Sequence, residues 1–334
     1  MKKEKILIFG PSWVGDMMMA KSLFTNLKKR NGNCELHLAA PGWSIGLAKR
    51  FDEIDKIIET DFPHGKLNLL KRIKLSIELR KENYDECIFL INTLKSLFSI
   101  TFSSIPIRTG FNGEFRKFFL NNWHHNSNLP TIDKFTTLSS NNYYQNPKTI
   151  IPKLKPNKLK AKKFLNKRKI PHDKLVVIAG GAEFGPAKML PQEKYGYIAK
   201  ELVNNGFNVI LLGSNKDIKV NNKINLFANM RCHDITGQTK LDEVIDIIGI
   251  CDYFLSNDSG LMHIAASLSI KQESFFGSSD PSNTPPLNKN SVINYLNIEC
   301  SPCFERNCPL EHFKCMKLID ENKVLERILW STKK

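Results

Sequence analysis

Residues 5–19 of the chain read KILIFGPSWVGDMMM, and this stretch decides the class of fold. Residues 5–9 form an apolar run of strand length that stops at Gly10, and residues 16–29 have the spacing of an amphipathic helix. A buried strand followed at once by a helix is typical of a parallel sheet that is covered on both faces. Residues 10–15 are therefore predicted to be a loop at the carboxyl end of the first strand.

The same alternation continues along the chain and predicts two Rossmann-like, doubly wound α/β domains. Residues 147–156 contain three prolines and no clear periodicity, which indicates a linker. Further strands are predicted at residues 35–39, 55–58, 86–91, 174–179, 208–212, 253–256 and 273–276, and helices at residues 67–82, 158–167, 192–204, 241–250 and 318–330. We expect a domain of residues 1–152 and a domain of residues 153–334 that face a central cleft, with ligands beyond the carboxyl ends of the strands.

Composition narrows the classes of function. The 334 residues carry a net charge of +16, which fits three explanations: nucleic-acid binding, attraction to an anionic membrane or acidic substrate, and compositional drift toward lysine. No RNP, zinc-finger or helix-turn-helix pattern supports the first, so we expect no nucleic acid among the partners. The apolar runs are far shorter than the roughly 20 residues that span a bilayer. The basic N-terminus lacks the apolar core of a signal peptide, so we expect a cytoplasmic protein.

The loop after the first strand places Asp16 at the start of a helix. Its spacing does not match the dinucleotide fingerprint G-x-G-x-x-G. Gly15 would let a ligand approach the backbone closely, which makes Asp16 a candidate for a functional carboxylate. The alternative is that Asp16 stabilises the helix N-terminus while the three methionines that follow it fill the core.

Two segments of the second domain fit phosphate groups. Residues 180–188 read GGAEFGPAK, a glycine-rich loop in which backbone N–H groups and Lys188 would converge, although the order is not that of a Walker A motif. Residues 256–263 read SNDSGLMH and join a strand to a helix whose first N–H groups would hold a diphosphate. The alternative is an Asp or Ser cap with His263 packed against the sheet. Residues 277–286 could close over a nucleotide.

Six segments in register resemble the ADP-heptose:lipopolysaccharide heptosyltransferases. They read GPSWVGDMMM, RTGFNGEFR, GAEFGPAK, NDSGLMHIAA, FFGSSDPSNTPPL and CSPCFERNCPL, and together they cover nearly the whole chain. The resemblance implies a GT-B fold, inversion at the anomeric carbon, ADP-heptose as the donor substrate, and no required cofactor or metal at the reacting centre. The chain departs from the family's usual residues at Ala179-Gly180 and at Met189-Leu190, two positions that bear on the cleft wall and the donor contacts.

The resemblance also implies roles for individual residues. Asp16 resembles the family's general base, which takes the proton from the acceptor hydroxyl. Lys188 resembles the lysine beside the donor's phosphates, and Asp217 lies where family members contact the ribose. The implied diphosphate-binding turn consists of Asp258, Ser259, Gly260, Leu261, Met262 and His263. The residues expected on the acceptor side are Ser12, Trp13, Gly15 and Arg116.

Within the family, the loop at residues 13–17 favours the heptosyltransferase II branch, which adds heptose to heptosylated Kdo2-lipid A. The alternatives are the heptosyltransferase I branch, which acts directly on Kdo, and, from another class, a non-catalytic basic protein that binds nucleotides or polyanions. We expect a monomer that works peripherally at the cytoplasmic face of the inner membrane, where its partners are ADP-heptose and the lipid-linked acceptor.

The cysteines fall into two groups. Four of the eight are scattered and are predicted to be small, reduced core residues: Cys34, Cys87, Cys232 and Cys251. The other four crowd into 16 residues near His312 and could hold zinc, although the pattern has one paired knuckle instead of two: Cys300, Cys303, Cys308 and Cys315. The alternative is a compact reduced loop without metal.

Overall fold

The computed structural model describes residues 3–30, 32, 34–62, 67–140 and 147–331. The chain divides into two compact units, Met1–Pro152 and Lys153–Lys334. Each unit is an α/β structure with its own parallel sheet. Among the described residues, no helix is long and apolar enough to cross a membrane.

The first unit contains a six-stranded parallel sheet with the strand order β3-β2-β1-β4-β5-β6. Its strands are β1 (Lys5–Phe9), β2 (Glu35–Pro41), β3 (Lys56–Thr60), β4 (Glu86–Phe89), β5 (Ile107–Phe111) and β6 (Asn122–His124). Its helices are α1 (Val14–Arg30), α2 (Ile45–Ala48), α3 (Leu69–Arg80), α4 (Leu94–Leu97) and α5 (Thr131–Thr137).

The second unit repeats this topology, with the strand order β12-β11-β10-β7-β8-β9. Its strands are β7 (Leu175–Ala179), β8 (Asn208–Leu211), β9 (His233–Asp234), β10 (Tyr253–Asn257), β11 (Lys271–Phe275) and β12 (Ser291–Asn294). Its helices are α6 (Lys158–Lys167), α7 (Gln192–Asn204), α8 (Ile218–Phe227), α9 (Leu241–Ile248), α10 (Gly260–Ser267), α11 (Lys314–Lys317) and α12 (Glu321–Ser331).

The central strands are continuous apolar runs because helices cover both of their faces. Every residue of β7 and of β10 is buried, and so is all of β1 after Lys5. Gly10 allows α1 to pack close to the first sheet, because a Cβ at this position would lie 2.8 Å from Met17 Cε and 3.0 Å from Leu38 Cδ1. The three methionines of α1 are core residues, as the packing alternative for them predicted.

Two kinds of prediction need correction. The first helix begins at Val14 instead of Asp16, so the predicted loop of residues 10–15 is shorter and Asp16 is the third residue of α1. The sequence pattern also missed the strands β5, β6, β9 and β12 and the helices α2, α4, α5, α8 and α11. The strands among them lie at or next to a sheet edge. Three of them mix polar with apolar residues and β9 has only His233 and Asp234, so none has the continuous apolar run of a central strand.

Candidate functional site

In each sheet the strand order reverses next to the strand that comes first in the chain, and open α/β sheets bind their ligands at such points. In the second unit the reversal lies between β7 and β10, which pair directly. The residues that follow these two strands are Gly180-Gly181 and Asp258-Ser259. The two segments that the sequence assigned to phosphate binding therefore lie side by side.

Asn257, the last residue of β10, holds these two segments together. Its Nδ2 donates to the carbonyl oxygens of Gly180 at 2.8 Å and Gly181 at 3.2 Å. Its Oδ1 accepts the backbone N–H of Leu190 at 2.9 Å and the hydroxyl of Tyr195 at 3.1 Å. All of its side-chain polar atoms are thus used in fixing the loop between β7 and α7. Asn257 lies in the segment of residues 256–263 that the sequence assigned to phosphate binding, but its role in joining the two segments was not predicted; an Asn at the end of a strand was the available signal.

Lys188 is connected to the turn after β10 through an ion pair. Its Nζ pairs with Asp258 Oδ2, and the same oxygen accepts the Ser279 hydroxyl at 2.6 Å. The lysine also lies over the Phe184 ring, 5.0 Å from the ring centroid. Lys188 and Asp258, 70 residues apart in the sequence, are therefore brought together as the resemblance implied. Ser279 belongs to residues 277–286, which the sequence indicated as a loop that could close over a nucleotide, but its contact with Asp258 was not predicted.

The N-terminus of α10 presents backbone donors beside this ion pair. Ser259 occupies the N-cap position, but its side chain makes no capping hydrogen bond, and the Asp258 carboxylate is bound to Lys188 instead. In the part of the chain described, no acceptor receives the N–H groups of Ser259, Gly260 and Leu261. The Asp or Ser side-chain cap of the alternative prediction is therefore not formed, and three donors at the positive end of a helix point beyond the sheet edge.

His263 lies in the first turn of α10 and is buried. Burial lowers the pKa of this imidazole to about 4; Asp258 opposes that change and Lys188 adds to it. The side chain is therefore neutral near pH 7. Packing of His263 in the interior agrees with the alternative weighed for it, and it remains within the same cluster as Lys188 and Asp258.

Asp217 lies between β8 and α8, directly before the first residue of that helix. Its Oδ2 accepts the backbone N–H and the hydroxyl of Ser214, both at 2.8 Å, in a reciprocal capping arrangement before α8. A Cβ at Gly181 would lie 1.9 Å from Asp217 Oδ1, so a larger residue here would displace the carboxylate. The carboxylate is thus packed against the loop that follows β7.

The corresponding edge of the first unit carries Asp16. It is half-buried in the first turn of α1, directly after the loop that leaves β1 at the reversal point between β1 and β4. Ser12 and Trp13 are exposed before it, and Gly15 is half-buried within the helix. The four residues therefore share the carboxyl edge of this sheet.

Arg116 is a fully buried arginine at the same edge. Its Nη1 donates to the carbonyl of Phe111 at 2.8 Å and to Asn92 Oδ1 at 3.2 Å, while its Nε and Nη2 have no acceptor among the described residues. Burial lowers its pKa to about 10, with an opposing effect from Glu114, so it stays charged near pH 7. Buried donors without partners are rare in folded proteins, and Nε and Nη2 of Arg116 are two such exceptions among the described residues.

The turn that carries Arg116 has an unusual backbone. Gly113, Glu114 and Phe115 all have positive φ, at 121°, 44° and 57°. Two consecutive non-glycine residues in this region are strained, and such strain is concentrated at functional sites. The Glu114 carboxylate accepts the N–H of Leu94 at 2.8 Å at the start of α4, which fixes the turn.

The cysteines separate as predicted into core residues and a cluster. Cys34, Cys87, Cys232 and Cys251 are buried and reduced, and burial raises the pKa of each thiol. The other four line one small cavity together with His312. Among the described residues, no three His, Cys, Asp or Glu side chains already have the spacing of a metal-binding set.

Two parallel six-stranded sheets of the same topology, each in its own unit, are the architecture of the GT-B class of glycosyltransferases, to which the solved structure described below belongs. The model of glycosyltransferase family 9 (heptosyltransferase) matches residues 72–314. The chain is 34% identical over 303 residues to lipopolysaccharide heptosyltransferase 2 of Escherichia coli, covering 86% of this chain and 87% of that one. It is 37% identical over 303 residues to lipooligosaccharide heptosyltransferase 2 of Haemophilus influenzae, with the same coverage.

A solved structure of Escherichia coli ADP-heptose lps heptosyltransferase II superimposes with a TM-score of 0.85 at 30% identity, covering 99% of this chain and 100% of that one. The chain belongs to glycosyltransferase family 9, the heptosyltransferases. It is therefore an enzyme, which excludes the non-catalytic nucleotide- or polyanion-binding alternative.

Proposed function

We propose that this enzyme transfers L-glycero-D-manno-heptose from ADP-heptose to heptosylated Kdo2-lipid A, the heptosyltransferase II reaction of lipopolysaccharide inner-core biosynthesis. The observation that carries the donor assignment is the meeting of Lys188, Asp258 and the open N–H groups of α10 at one reversal point. The relatives named as heptosyltransferase 2 support the choice of reaction.

The donor residues suit the charge that develops on the leaving group. An inverting transfer is a single displacement: the acceptor oxygen bonds to the anomeric carbon as the bond from that carbon to the ADP oxygen breaks. Negative charge collects on the diphosphate, which the N–H groups of Ser259, Gly260 and Leu261 and the ammonium of Lys188 would stabilise without a metal or other cofactor. Met262 and His263 are buried residues of the same turn. Asp217 is proposed to contact the ribose.

Asp258 is proposed to position Lys188 instead of contacting the phosphates. An ammonium has three donors, and one is directed to Asp258, so two remain for a ligand. The Ser279 hydroxyl donates a hydrogen bond to the Asp258 carboxylate and helps to hold it in place. This arrangement keeps the ammonium of Lys188 directed toward the turn after β10.

The first unit is proposed to bind the acceptor. Asp16 would accept the proton of the attacking hydroxyl, with Ser12, Trp13 and Gly15 forming the surface around it. Arg116 would favour an anionic group of the acceptor through the positive charge of its buried guanidinium. The second unit would then be the nucleotide-sugar domain.

A basic and apolar face of α3 is proposed to contact the cytoplasmic leaflet of the inner membrane, where the lipid-linked acceptor resides. Leu70 and Ile77 are 83% and 52% exposed on this helix. Lys74 and Lys81 are exposed on the same side, at the helical spacing that places all four together. Apolar side chains bordered by lysines suit an anionic lipid surface. The enzyme is proposed to act there as a cytoplasmic, peripheral monomer.

Incubation of the purified enzyme with ADP-heptose and heptosylated Kdo2-lipid A tests the proposed transfer. The expected result is release of ADP together with an acceptor that has gained the mass of one heptose. The alternative, heptosyltransferase I activity, predicts this product only when Kdo2-lipid A without heptose is supplied. Release of ADP without a heptosylated product would reject both forms of the proposal.

A further inference from the structure

Residues 301–306 are bound to the loop that follows β11. The Ser301 hydroxyl donates to the carbonyl of Gly277 at 2.5 Å, and the backbone N–H of Phe304 donates to the carbonyl of Ser278 at 2.6 Å. Both acceptors lie directly after β11, beside the strand that leads into the candidate donor site. This C-terminal segment is therefore fixed to the same part of the second unit as that site.

Arg306 is bound to the loop between β7 and α7 through both its backbone and its side chain. Its carbonyl accepts the backbone N–H of Ala187 at 3.0 Å, and its Nη1 donates to the carbonyl of Phe184 at 3.2 Å. Gly185 allows this close approach, because its φ is 151° and a Cβ would lie 2.5 Å from the Arg306 oxygen. Arg306 is therefore held in place relative to the loop that carries Lys188.

One aromatic ring lies beside both cations. The Lys188 Nζ and the guanidinium carbon of Arg306 are each 5.0 Å from the centroid of the Phe184 ring. A cation at this distance is attracted to an aromatic ring. Two positively charged side chains from distant parts of the sequence are therefore brought to the same side chain of the donor loop.

Arg306 is the cation of this group whose charge is not neutralised by an ion pair. The Lys188 ammonium pairs with Asp258, and Lys216 pairs with Glu183. The Arg306 side chain is exposed, and among the described residues its guanidinium donates to a carbonyl and not to a carboxylate. Since a carbonyl oxygen carries no net charge, the positive charge of Arg306 is available to an anionic ligand.

We propose that Arg306 is a specificity-determining residue of the donor site, whose positive charge favours nucleotides with a diphosphate over nucleotides with a single phosphate. This role rests on the donor site of the proposed function and adds a second cation to it. The ion pair of Lys188 brings no net charge to the site, whereas ADP is a multiply charged anion. Arginine suits this role because it is always protonated and because its five N–H donors can bind a carbonyl while others remain for a ligand.

The affinities for ADP and AMP test this charge, because the two ligands share the nucleoside and differ by one phosphate group. Arg306→Gln removes the charge but keeps an N–H that can donate to the Phe184 carbonyl. By calorimetry at low salt, the variant should bind ADP about three- to tenfold more weakly than wild type and lose much less affinity for AMP. The difference should shrink as salt is added. Equal loss for both nucleotides, no loss for ADP, or a wild type that does not prefer ADP to AMP would overturn the proposal.

Two further variants separate charge from structure. Arg306→Lys keeps the charge and should restore most of the ADP affinity that Arg306→Gln loses. Arg231→Gln is the matched control, since it removes an exposed arginine of the same unit that donates to Asn204 Oδ1 at 2.9 Å. It should bind both nucleotides like wild type. Equal weakening by the control, or no rescue by Arg306→Lys, would contradict the assignment to Arg306.

The heptose-transfer assay distinguishes failure of this role from failure of the proposed function. If wild type transfers heptose but Arg306→Gln binds ADP like wild type, the role of Arg306 fails while the proposed function stands. If the preference for ADP depends on Arg306 but wild type transfers no heptose, the proposed function fails while the second cation stands.

Discussion

The ion pair between Lys188 and Asp258 has little contact with solvent, with side chains 18% and 5% exposed. Lys188→Ala removes a charge-assisted contact to the donor and also leaves Asp258 as an unpaired carboxylate beside the phosphates. We expect ADP binding to weaken by about 1.5–3 kcal/mol, the value of one hydrogen bond to a charged group. Isothermal titration calorimetry measures this change directly.

The double variant Lys188→Ala/Asp258→Asn distinguishes these two effects. It should bind ADP more tightly than Lys188→Ala alone, because the unpaired carboxylate is gone. Lys216→Ala is the control, since that exposed lysine pairs with Glu183 at the surface, where ion pairs contribute little. Equal ADP affinity of Lys188→Ala and wild type would contradict the donor site.

Asp16 offers a test of catalysis that is separate from donor binding. Asp16→Asn keeps the shape of the side chain but cannot accept a proton at neutral pH. We expect a variant that folds, binds ADP-heptose nearly normally and transfers heptose at least about a hundredfold more slowly. Steady-state turnover, donor affinity and melting temperature are measured on the same preparation.

The matched control for Asp16 is Asp133→Asn, which removes a carboxylate from the first turn of α5 in the same unit. A purely structural Asp16 predicts a stability change of about 0.3–1 kcal/mol through the helix dipole and near-normal turnover in both variants. Turnover of Asp16→Asn within a factor of a few of wild type would assign Asp16 that structural role.

At the scale of elements, α10 combines an open N-terminus with a buried imidazole in its first turn. The pKa of His263 is about 4 in the folded enzyme, against an ordinary value of 6.5. Between these values the unfolded chain binds a proton that the folded chain does not. Stability therefore rises with pH across this window, is complete above about pH 6.5, and falls by up to about 3 kcal/mol as pH drops to 4.

His263→Gln tests this linkage because glutamine does not titrate. Denaturant unfolding at several pH values should give a wild-type free energy of unfolding that falls more steeply from pH 6.5 to 4.5 than that of the variant. Subtraction of the two curves cancels the contributions that other histidines with lowered pKa values, such as His37 and His233, make to the pH dependence of stability. Parallel curves would mean that His263 titrates normally.

The sequence predicts the elements that are buried on both faces. It does not predict the elements whose structure depends on contacts with residues far away in the chain. The strand at β7 and the helices α6 and α7 were predicted within a residue, because their apolar or amphipathic patterns are strong. Strand β12 was missed because its residues SVIN become a strand only by pairing with β11. Likewise, glycine and lysine motifs indicated the donor loop, but Asn257 and Ser279 act through contacts between distant segments that no local pattern contains.

Together with the exposed apolar and basic face of α3, the net charge of +16 favours binding of the whole molecule to an anionic membrane. We expect the enzyme to sediment with anionic vesicles and to dissociate as salt is added, since charges at a surface are screened within about 8 Å at physiological ionic strength. Leu70→Ser/Ile77→Ser should weaken vesicle binding by about tenfold or more at constant charge, through lost apolar burial.

A control for the membrane contact is Leu159→Ser, which changes a leucine of α6 that is 81% exposed in the other unit. It should bind vesicles like wild type. Binding that is insensitive to salt, or equal loss in both variants, would mean that the α3 face is not the contact surface and that the high charge reflects composition alone.

The proposed function requires that the enzyme adds heptose to an acceptor that already carries one. The most direct measurement compares kcat/KM for heptosylated Kdo2-lipid A with kcat/KM for Kdo2-lipid A, at one ADP-heptose concentration and one vesicle composition. We predict that the heptosylated acceptor is preferred by at least about a hundredfold, because a site that binds the first heptose leaves its polar groups unpaired when that sugar is missing. Equal values, or faster transfer to Kdo2-lipid A, would contradict the claim.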